Sequence, residues 1–430
     1  MDDHSLSKLR DGTRVISEAL PAVRSVSLGI WIGVGARDER ASQAGVSHLL
    51  EHMLFKGTAR YSAQDIAELF DGLGGELNAA TGREYTVLYA RVLDDHLPAA
   101  LDAMTDMIYT PTFAELEAER EVVLEEIAMV EDAPQETIHD LLATAIFGQH
   151  PLGRPVIGTA DVISSVAKRS LTSFHRSRYS GDNLVVAAAG NVDHERLRRS
   201  VTRMARAKRA DTSSRHATRS LVRRPPSPGL VFQQKETEQY HVCVGATGVH
   251  RADPRRFAAS LLDAILGGSA SSRLFQEIRE KRGLAYAVYT FSSQYQETGE
   301  VGVYVGTRGE NLVTCMEIVQ QQIDDVAQGG LKAAELARAK ENLKGRIMLS
   351  LESTGARMNR LGRSLIADAD LLPLDQVVSE IDAVSVDAVA ALAADVLAAE
   401  RRAVAGIGPD PDVFKRAVEA VNPELTEVKA

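Results

Sequence analysis

His48 and His52 stand four residues apart in the run Ser47-His48-Leu49-Leu50-Glu51-His52-Met53-Leu54-Phe55. On a helix this spacing puts both imidazoles on one face, one turn above the other. Glu51 immediately precedes His52 and falls within about 60° of that face at 100° per residue. Two neutral nitrogen ligands, with a carboxylate beside them to act as base toward a metal-activated water, are what a catalytic zinc site requires. The order His-x-x-Glu-His reverses the more common His-Glu-x-x-His. Five-residue patterns also arise by chance in ordinary helices, so the assignment needs a third ligand and a place for substrate.

A second predicted helix, residues 113 to about 130, offers that ligand. Leu116, Glu119, Val123, Glu126, Ile127 and Val130 share one stripe at helical spacing. Glu119 and Glu126 lie two turns apart on this otherwise apolar face. A carboxylate there is costly unless it is paired or bound to a metal. Ordinary salt bridges are the alternative. Glu117, Glu121 and Glu125 fall on the outer faces and read as solvated. Two histidines short of a third ligand and two glutamates breaking an apolar stripe explain each other, although spacing does not decide which glutamate binds the metal.

The elements that must carry these residues are legible in outline. Residues 14–32 read as two strands with a turn near Pro21, followed by a turn at Gly33-Val34-Gly35 and the motif helix from about 44 to 56. Ser62-Ala63-Gln64-Asp65 starts a capped helix that stops at Gly74-Gly75. Strands are expected at 76–81 and 85–92, and helices at 97–108 and 136–147. A strand at 183–190 and a helix at 193–206 close the first half. Residues 207–228 are polar and basic and end in Arg223-Arg224-Pro225-Pro226-Ser227-Pro228, a linker composition. The second half repeats the first, with strands at 229–234, 241–248, 285–294 and 299–307. Its helices are a segment capped by Asp253, the segment 272–281 and the segment 312–326. Glu335-Leu336-Ala337-Arg338-Ala339-Lys340 matches Glu115-Leu116-Glu117-Ala118-Glu119-Arg120, and at that offset Ala339 and Arg346 replace Glu119 and Glu126. The expected organisation is therefore 1–206, a zinc-binding catalytic domain; 207–228, a linker; and 229–430, a homologous substrate-binding domain without the metal motif.

Bulk properties narrow the function classes. At 430 residues the chain is too long for one core. A net charge of −10 argues against nucleic acid and gives no reason to expect an anionic membrane as partner. Cys243 and Cys315 are too few for a thiolate zinc site or a disulfide framework and fit a reducing compartment. The acidic start Met1-Asp2-Asp3-His4 has no signal or transit character, and no apolar run has the length of a membrane span. A soluble cytoplasmic protein is expected.

Several longer motifs, in order along essentially the whole chain, carry a family resemblance. They are His48 to His52 with Phe55-Lys56-Gly57-Thr58; Gly74-Gly75-Glu76-Leu77-Asn78-Ala79; Glu119 to Glu126; Pro151-Leu152-Gly153-Arg154; and Ser272 to Tyr286. With these the sequence resembles the pitrilysin-type (inverzincin) zinc peptidases of the shorter, processing-peptidase-like class. The resemblance implies an α+β fold of two homologous α/β domains, each with mostly antiparallel sheets flanked by helices, arranged as a clamshell around a chamber. It implies one Zn2+ per chain held by His48, His52 and Glu126, with Glu51 as general base and Glu119 supporting the site. It further implies an extended peptide added along Asn78 and Ala79, and contacts to substrate from Arg279 and Tyr286. For these two, a surface charge and a strand-core tyrosine are the ordinary alternatives. The implied activity is zinc-dependent endoproteolysis of short or unfolded polypeptides by a homodimer. A catalytically silent peptide-binding or assembly subunit of the same fold is the alternative, and the complete metal motif favours the enzyme.

Overall fold

The computed structural model describes residues 4–207, 221–222 and 226–426, so the expected linker at 207–228 lies mostly outside the described residues. Two sheets organise the chain. The first contains β1 (His4–Lys8), β2 (Arg14–Ala19), β3 (Ser25–Ile32), β4 (Glu76–Thr81), β5 (Thr86–Leu93) and β6 (Leu184–Gly190), in the order β1-β2-β6-β3-β5-β4. The second contains β7 (Leu230–Gln234), β8 (Tyr240–Gly248), β9 (Ala285–Gln294), β10 (Gly299–Thr307) and β11 (Ala403–Gly408), in the order β7-β11-β8-β10-β9. With β1 set aside, the two sheets have one plan: each strand meets the same neighbours in the same chain order. Each contains a single parallel pair, β2 with β6 and β7 with β11, and every other pairing is antiparallel. The mostly antiparallel, duplicated α/β architecture expected from the sequence is present.

The helices of the first half are α1 (Val46–Leu54), α2 (Ala63–Gly72), α3 (Leu97–Tyr109), α4 (Leu116–Asp132), α5 (Pro134–Phe147), α6 (Ala160–Ser165), α7 (Lys168–Arg178) and α8 (His194–Ala207). Those of the second half are α9 (Arg256–Leu266), α10 (Gly309–Ala327), α11 (Ala333–Ser350), α12 (Thr354–Ile366), α13 (Leu374–Ala383), α14 (Val386–Val396) and α15 (Pro411–Val421). None of the described helices is long and apolar enough to cross a membrane.

The two compact units are discontinuous in sequence. One comprises Met1–Ala128, Pro155–Arg219 and Met348–Leu371, and the other Met129–Arg154, Ser220–Ile347 and Leu372–Ala430. These units differ from a split into 1–206 and 229–430 in two segments, 129–154 and 348–371. Successive strand residues face opposite sides of a sheet, so each open sheet has two apolar faces to cover. In the first unit Leu28, Ile30, Leu88 and Val186 face the cluster that includes α1, α3 and α4. The opposite face, with Ile16, Trp31, Val87 and Val185, is covered by Met358, Leu361 and Ile366 of α12, a helix from the second half of the chain. In the second unit α5, a helix from the first half, performs the same service. Its Ile138, Leu142 and Ile146 cover Cys243, Tyr304 and Ala405.

Three local expectations are corrected. α4 begins at Leu116, after Phe113 adopts a φ of +50°. α9 begins at Arg256, because Asp253 Oδ1 accepts the Arg255 N–H at 2.8 Å within the preceding turn and so caps a turn rather than the helix. The segment Phe275–Glu280 is a π-helix, a wider turn that propensity does not distinguish from α.

Candidate metal centre

α1 is set by its ends and by its buried face. Gly45 begins it at a φ of +90°, and a Cβ there would lie 2.5 Å from the Ile157 carbonyl oxygen. The first turn would leave backbone N–H groups unpaired. Buried Glu39 accepts two of them, Gly45 N at 2.8 Å and Ser47 N at 2.6 Å. Its negative charge also suits the positive end of the helix dipole. Leu49, Leu50, Met53 and Leu54 anchor the inner face and are fully buried, while His48, Glu51 and His52 keep partial exposure.

α4 brings its two glutamates to these histidines. His52 Nε2 lies 3.3 Å from Glu126 Oε2, and His48 Nε2 lies 3.7 Å from Glu126 Oε1. One donor atom from each of His48, His52 and Glu126 falls within 4.8 Å of the others. Ligands about 2.1 Å from a tetrahedral zinc are separated by roughly 3.4 Å, so this donor set fits that ion.

Glu119 stands behind the set. Its Oε1 lies 2.8 Å from His52 Nδ1, a contact that turns the ring so that Nε2 faces Glu126. Its Oε2 pairs with Lys56 Nζ at 2.7 Å. Glu119 is buried, and the two partners together compensate that burial. The two glutamates of the apolar stripe therefore have different neighbours. Glu126 reaches the Nε2 atoms, and Glu119 stands behind the ring of His52.

The electrostatics favour a neutral His48. Burial, reinforced by the neighbouring His52, pushes the His48 pKa down to about 4, so at neutral pH its ring keeps a lone pair for a metal. Its Nδ1 is buried and has no hydrogen-bond partner among the described residues. Burial also raises the Glu51 pKa, opposed chiefly by a hydrogen bond from the Thr81 side chain. A carboxylate shifted upward beside a metal donor set is suited to proton transfer.

His48, Glu51, His52, Glu119 and Glu126 thus come together from α1 and α4, 67 residues apart for the His52–Glu119 pair. Asn78 and Ala79 lie on β4, the edge strand of the same sheet, paired with Tyr89 and Leu88 of β5. Asn78 Oδ1 accepts the Ala79 N–H at 2.8 Å. Arg279 and Tyr286 meet in the other unit. The Arg279 guanidinium lies 4.4 Å from the Tyr286 ring centroid and 4.7 Å from that of Phe275. Tyr286 is 76% exposed, so it is not a strand-core tyrosine. Residue-level reading missed the roles of Glu39, Lys56 and Thr81. Lys56, one turn beyond His52, had a detectable signal as a cation able to compensate Glu119. Glu39 and Thr81 carry no periodic or spacing signal.

The second unit carries a degenerate form of the motif. Ser260-Leu261-Leu262-Asp263-Ala264 on α9 parallels His48-Leu49-Leu50-Glu51-His52, with the acidic position kept and both histidines lost.

Comparison with known proteins agrees with this division. A family model described as insulinase (peptidase family M16) matches residues 14–160, and one described as the peptidase M16 inactive domain matches residues 165–343. An uncharacterized zinc protease of Streptomyces coelicolor is 44% identical over 413 residues, covering 94% of this chain and 89% of the relative. An uncharacterized zinc protease of Bacillus subtilis is 40% identical over 408 residues, 93% of this chain and 97% of the relative. Among solved structures, a protease from Helicobacter pylori shares the fold with a TM-score of 0.88 at 21% identity, covering 94% of this chain and 99% of that one. With relatives this similar over nearly its full length, and with the two family models matching consecutive parts of it, the chain belongs to peptidase family M16.

Proposed function

We propose that this protein is a zinc metalloendopeptidase in which His48, His52 and Glu126 hold one zinc ion and Glu51 is the general base. The observation that carries the reading is the convergence of three metal-competent donors within 4.8 Å next to a partly buried carboxylate whose pKa is raised. Bound there, zinc supplies a water acidified to a pKa of about 7 and polarises the scissile carbonyl. Glu51 takes the proton from the attacking water and returns it to the departing amine. Glu119 keeps the His52 ring in its donor orientation, and Lys56 keeps Glu119 compensated.

The edge position of β4 supports an extended peptide as substrate, held by main-chain hydrogen bonds near Asn78 and Ala79 with little demand on its sequence. Unfolded or short polypeptides satisfy that requirement, because only they offer a free strand. Arg279 and Tyr286 are proposed as further substrate contacts. The exposed phenol of Tyr286, with the guanidinium over its ring, suits hydrogen bonding to a peptide carbonyl.

The test is cleavage of a quenched peptide library with and without chelator, combined with a metal assay. Chelation should abolish cleavage and added zinc should restore it. Glu51→Gln should lower kcat by about 10²–10⁴-fold while zinc stays bound near one per chain. Full activity in that variant rules out Glu51 as the base.

A further inference from the structure

α8 (His194–Ala207) has two unlike faces. Leu197, Val201 and Met204 are buried in the core of the first unit. On the opposite side Arg196, Arg199, Arg203 and Arg206 recur at intervals of three, four and three, so they fall within about 80° of the helix circumference. All four are exposed. Arg196, in the first turn, shares a hollow with Asp94, Asp95 and Asp193, which offset its charge, and Arg198 beside the stripe pairs with Glu195 at 2.8 Å. The side chains of Arg199, Arg203 and Arg206 have no ion pair or hydrogen bond among the described residues. With Arg198 and Thr202 they line an open hollow of about 480 Å³. Like charges three and four residues apart repel along a helix, so the stripe costs stability until an anion neutralises it. The charge does not stop with α8. Residues 196–224 hold eleven basic side chains against the single acid Asp211, in a chain whose net charge is −10, so the remaining residues carry −20.

We propose that Arg199, Arg203 and Arg206 form an exosite that captures an acidic stretch of a polypeptide substrate, while another part of the same polypeptide occupies the metal centre of the same unit. The proposal rests on the reading of this chain as an endopeptidase. The three guanidiniums span about 10 Å of helix and present forked donors that pair with a carboxylate two bonds at a time. In an extended polypeptide alternate side chains face one way about 6.6 Å apart, so acids at every second position meet successive arginines, which rise by about 4.5–6 Å along α8. Phosphates fit the same forks, but three observations favour carboxylates. Tyr286, in the other unit, is the only aromatic among the strongly exposed large apolar side chains of the described residues, so they offer the stripe no platform for stacking bases. A nucleic acid running past the hollow meets a molecule otherwise charged −20, whereas a short acidic stretch ends within it. The apolar face of α8 is committed to the core, which leaves the helix no side to insert into a lipid surface.

Two readouts keep the exosite apart from the chemistry. Anisotropy follows binding of a fluorescein-labelled oligoglutamate peptide to the whole protein. Cleavage kinetics compare one quenched peptide with and without the same acidic run, attached through glycine–serine linkers of graded length. The variants are Arg199→Gln, Arg203→Gln and Arg206→Gln combined, and Arg203→Gln alone should the triple change disturb folding. Glutamine is a good helix former, so the thermal midpoint should stay near that of the parent. Exposed ion pairs are individually modest, so we expect the acidic run to lower KM by about tenfold with kcat within about twofold. The triple variant should lose that gain, the single variant should keep part of it, and cleavage of the untailed peptide should be unchanged in both. In about 0.5 M salt the gain should vanish, because screening then acts within a few ångströms. Equal KM with and without the acidic run at every linker length overturns the proposal, as does a gain that persists in the triple variant. Single-stranded RNA or anionic phospholipid vesicles bound more tightly than the oligoglutamate, with loss in the triple variant, would assign the stripe to phosphates and also overturn it. If the parent cleaves no peptide, the endopeptidase reading has failed, and the anisotropy measurement still decides whether the stripe holds acidic peptide. If the parent cleaves the untailed peptide but binds no oligoglutamate, only the exosite has failed.

Discussion

Glu119 lies one step removed from the three proposed metal ligands. It binds His52 Nδ1 and Lys56 Nζ at once, so removing its charge leaves an unpaired lysine and an imidazole free to turn. Glu119→Gln should weaken zinc affinity by about 10–100-fold in chelator competition and leave the fold intact. Unchanged affinity would mean that α1 packing alone orients His52. Buried His175 carries a stability consequence. His175 donates Nε2–H to the Ile108 carbonyl at 2.8 Å, and burial lowers its pKa to about 4, with that hydrogen bond opposing the shift. The folded state thus keeps the ring neutral where the unfolded chain, with a pKa near 6.5, has already taken a proton. Stability is unaffected above about pH 6.5 and falls as pH drops from there to about 4, by roughly 3 kcal/mol in total for this group. His175→Gln keeps a donor for Ile108 and removes the titration, so denaturant unfolding should lose part of its pH dependence between these limits. An unchanged pH slope would show that His175 is not responsible.

At the scale of elements, the packing of α12 on the first sheet depends on small residues. A Cβ on Gly362 would come within 2.0 Å of Trp31 Nε1, and one on Gly29 within 2.5 Å of Met358 Sδ. The helix approaches the strands this closely because neither position has a side chain. Gly362→Ala should overpack the interface and destabilise the protein by about 1–3 kcal/mol. Trp31 is the sole tryptophan, so its emission reads out the disturbance directly. A variant with parental emission and unfolding midpoint would refute the tight contact. The zinc motif, by contrast, needed little beyond local sequence. Helical spacing brings His48 and His52 together, and the stripe on α4 identifies Glu119 and Glu126. What spacing left open was the division of labour between the glutamates. That depends on the height and rotation of α4 relative to α1, which the packing of Leu116, Val123 and Ile127 decides.

At the scale of the whole molecule, the exchange of α5 and α12 makes each half of the chain incomplete. A fragment of residues 1–206 contains all six strands of its sheet and every proposed metal ligand, but lacks the helix that covers Ile16, Trp31, Val87 and Val185. Such a fragment should expose that face, bind a hydrophobic dye and show red-shifted tryptophan emission, because an apolar sheet face left in water cannot stabilise a fold. Fusing residues 348–371 to it should restore blue-shifted emission. A well-folded 1–206 fragment would show that α12 is dispensable. The shared strand order of the two sheets, together with Ser260-Leu261-Leu262-Asp263-Ala264 on α9, extends the duplication read from Glu335-Leu336 to the whole architecture.

The sequence by itself determined the candidate metal donors, the strands and most helices, and the duplicated plan, because these follow from short-range periodicity and from the donor properties of single residues. Only the tertiary structure decided which helices cover which sheet, that Phe275–Glu280 winds as a π-helix, and that Glu39 caps the first turn of α1 from an aperiodic position. The physical reason is the same in each case. Covering an apolar face or satisfying a buried polar group is a condition on three-dimensional neighbours, and any segment of suitable shape and chemistry can meet it. The His-x-x-Glu-His run marks where the chemistry lies, and the tertiary contacts decide how its side chains are held.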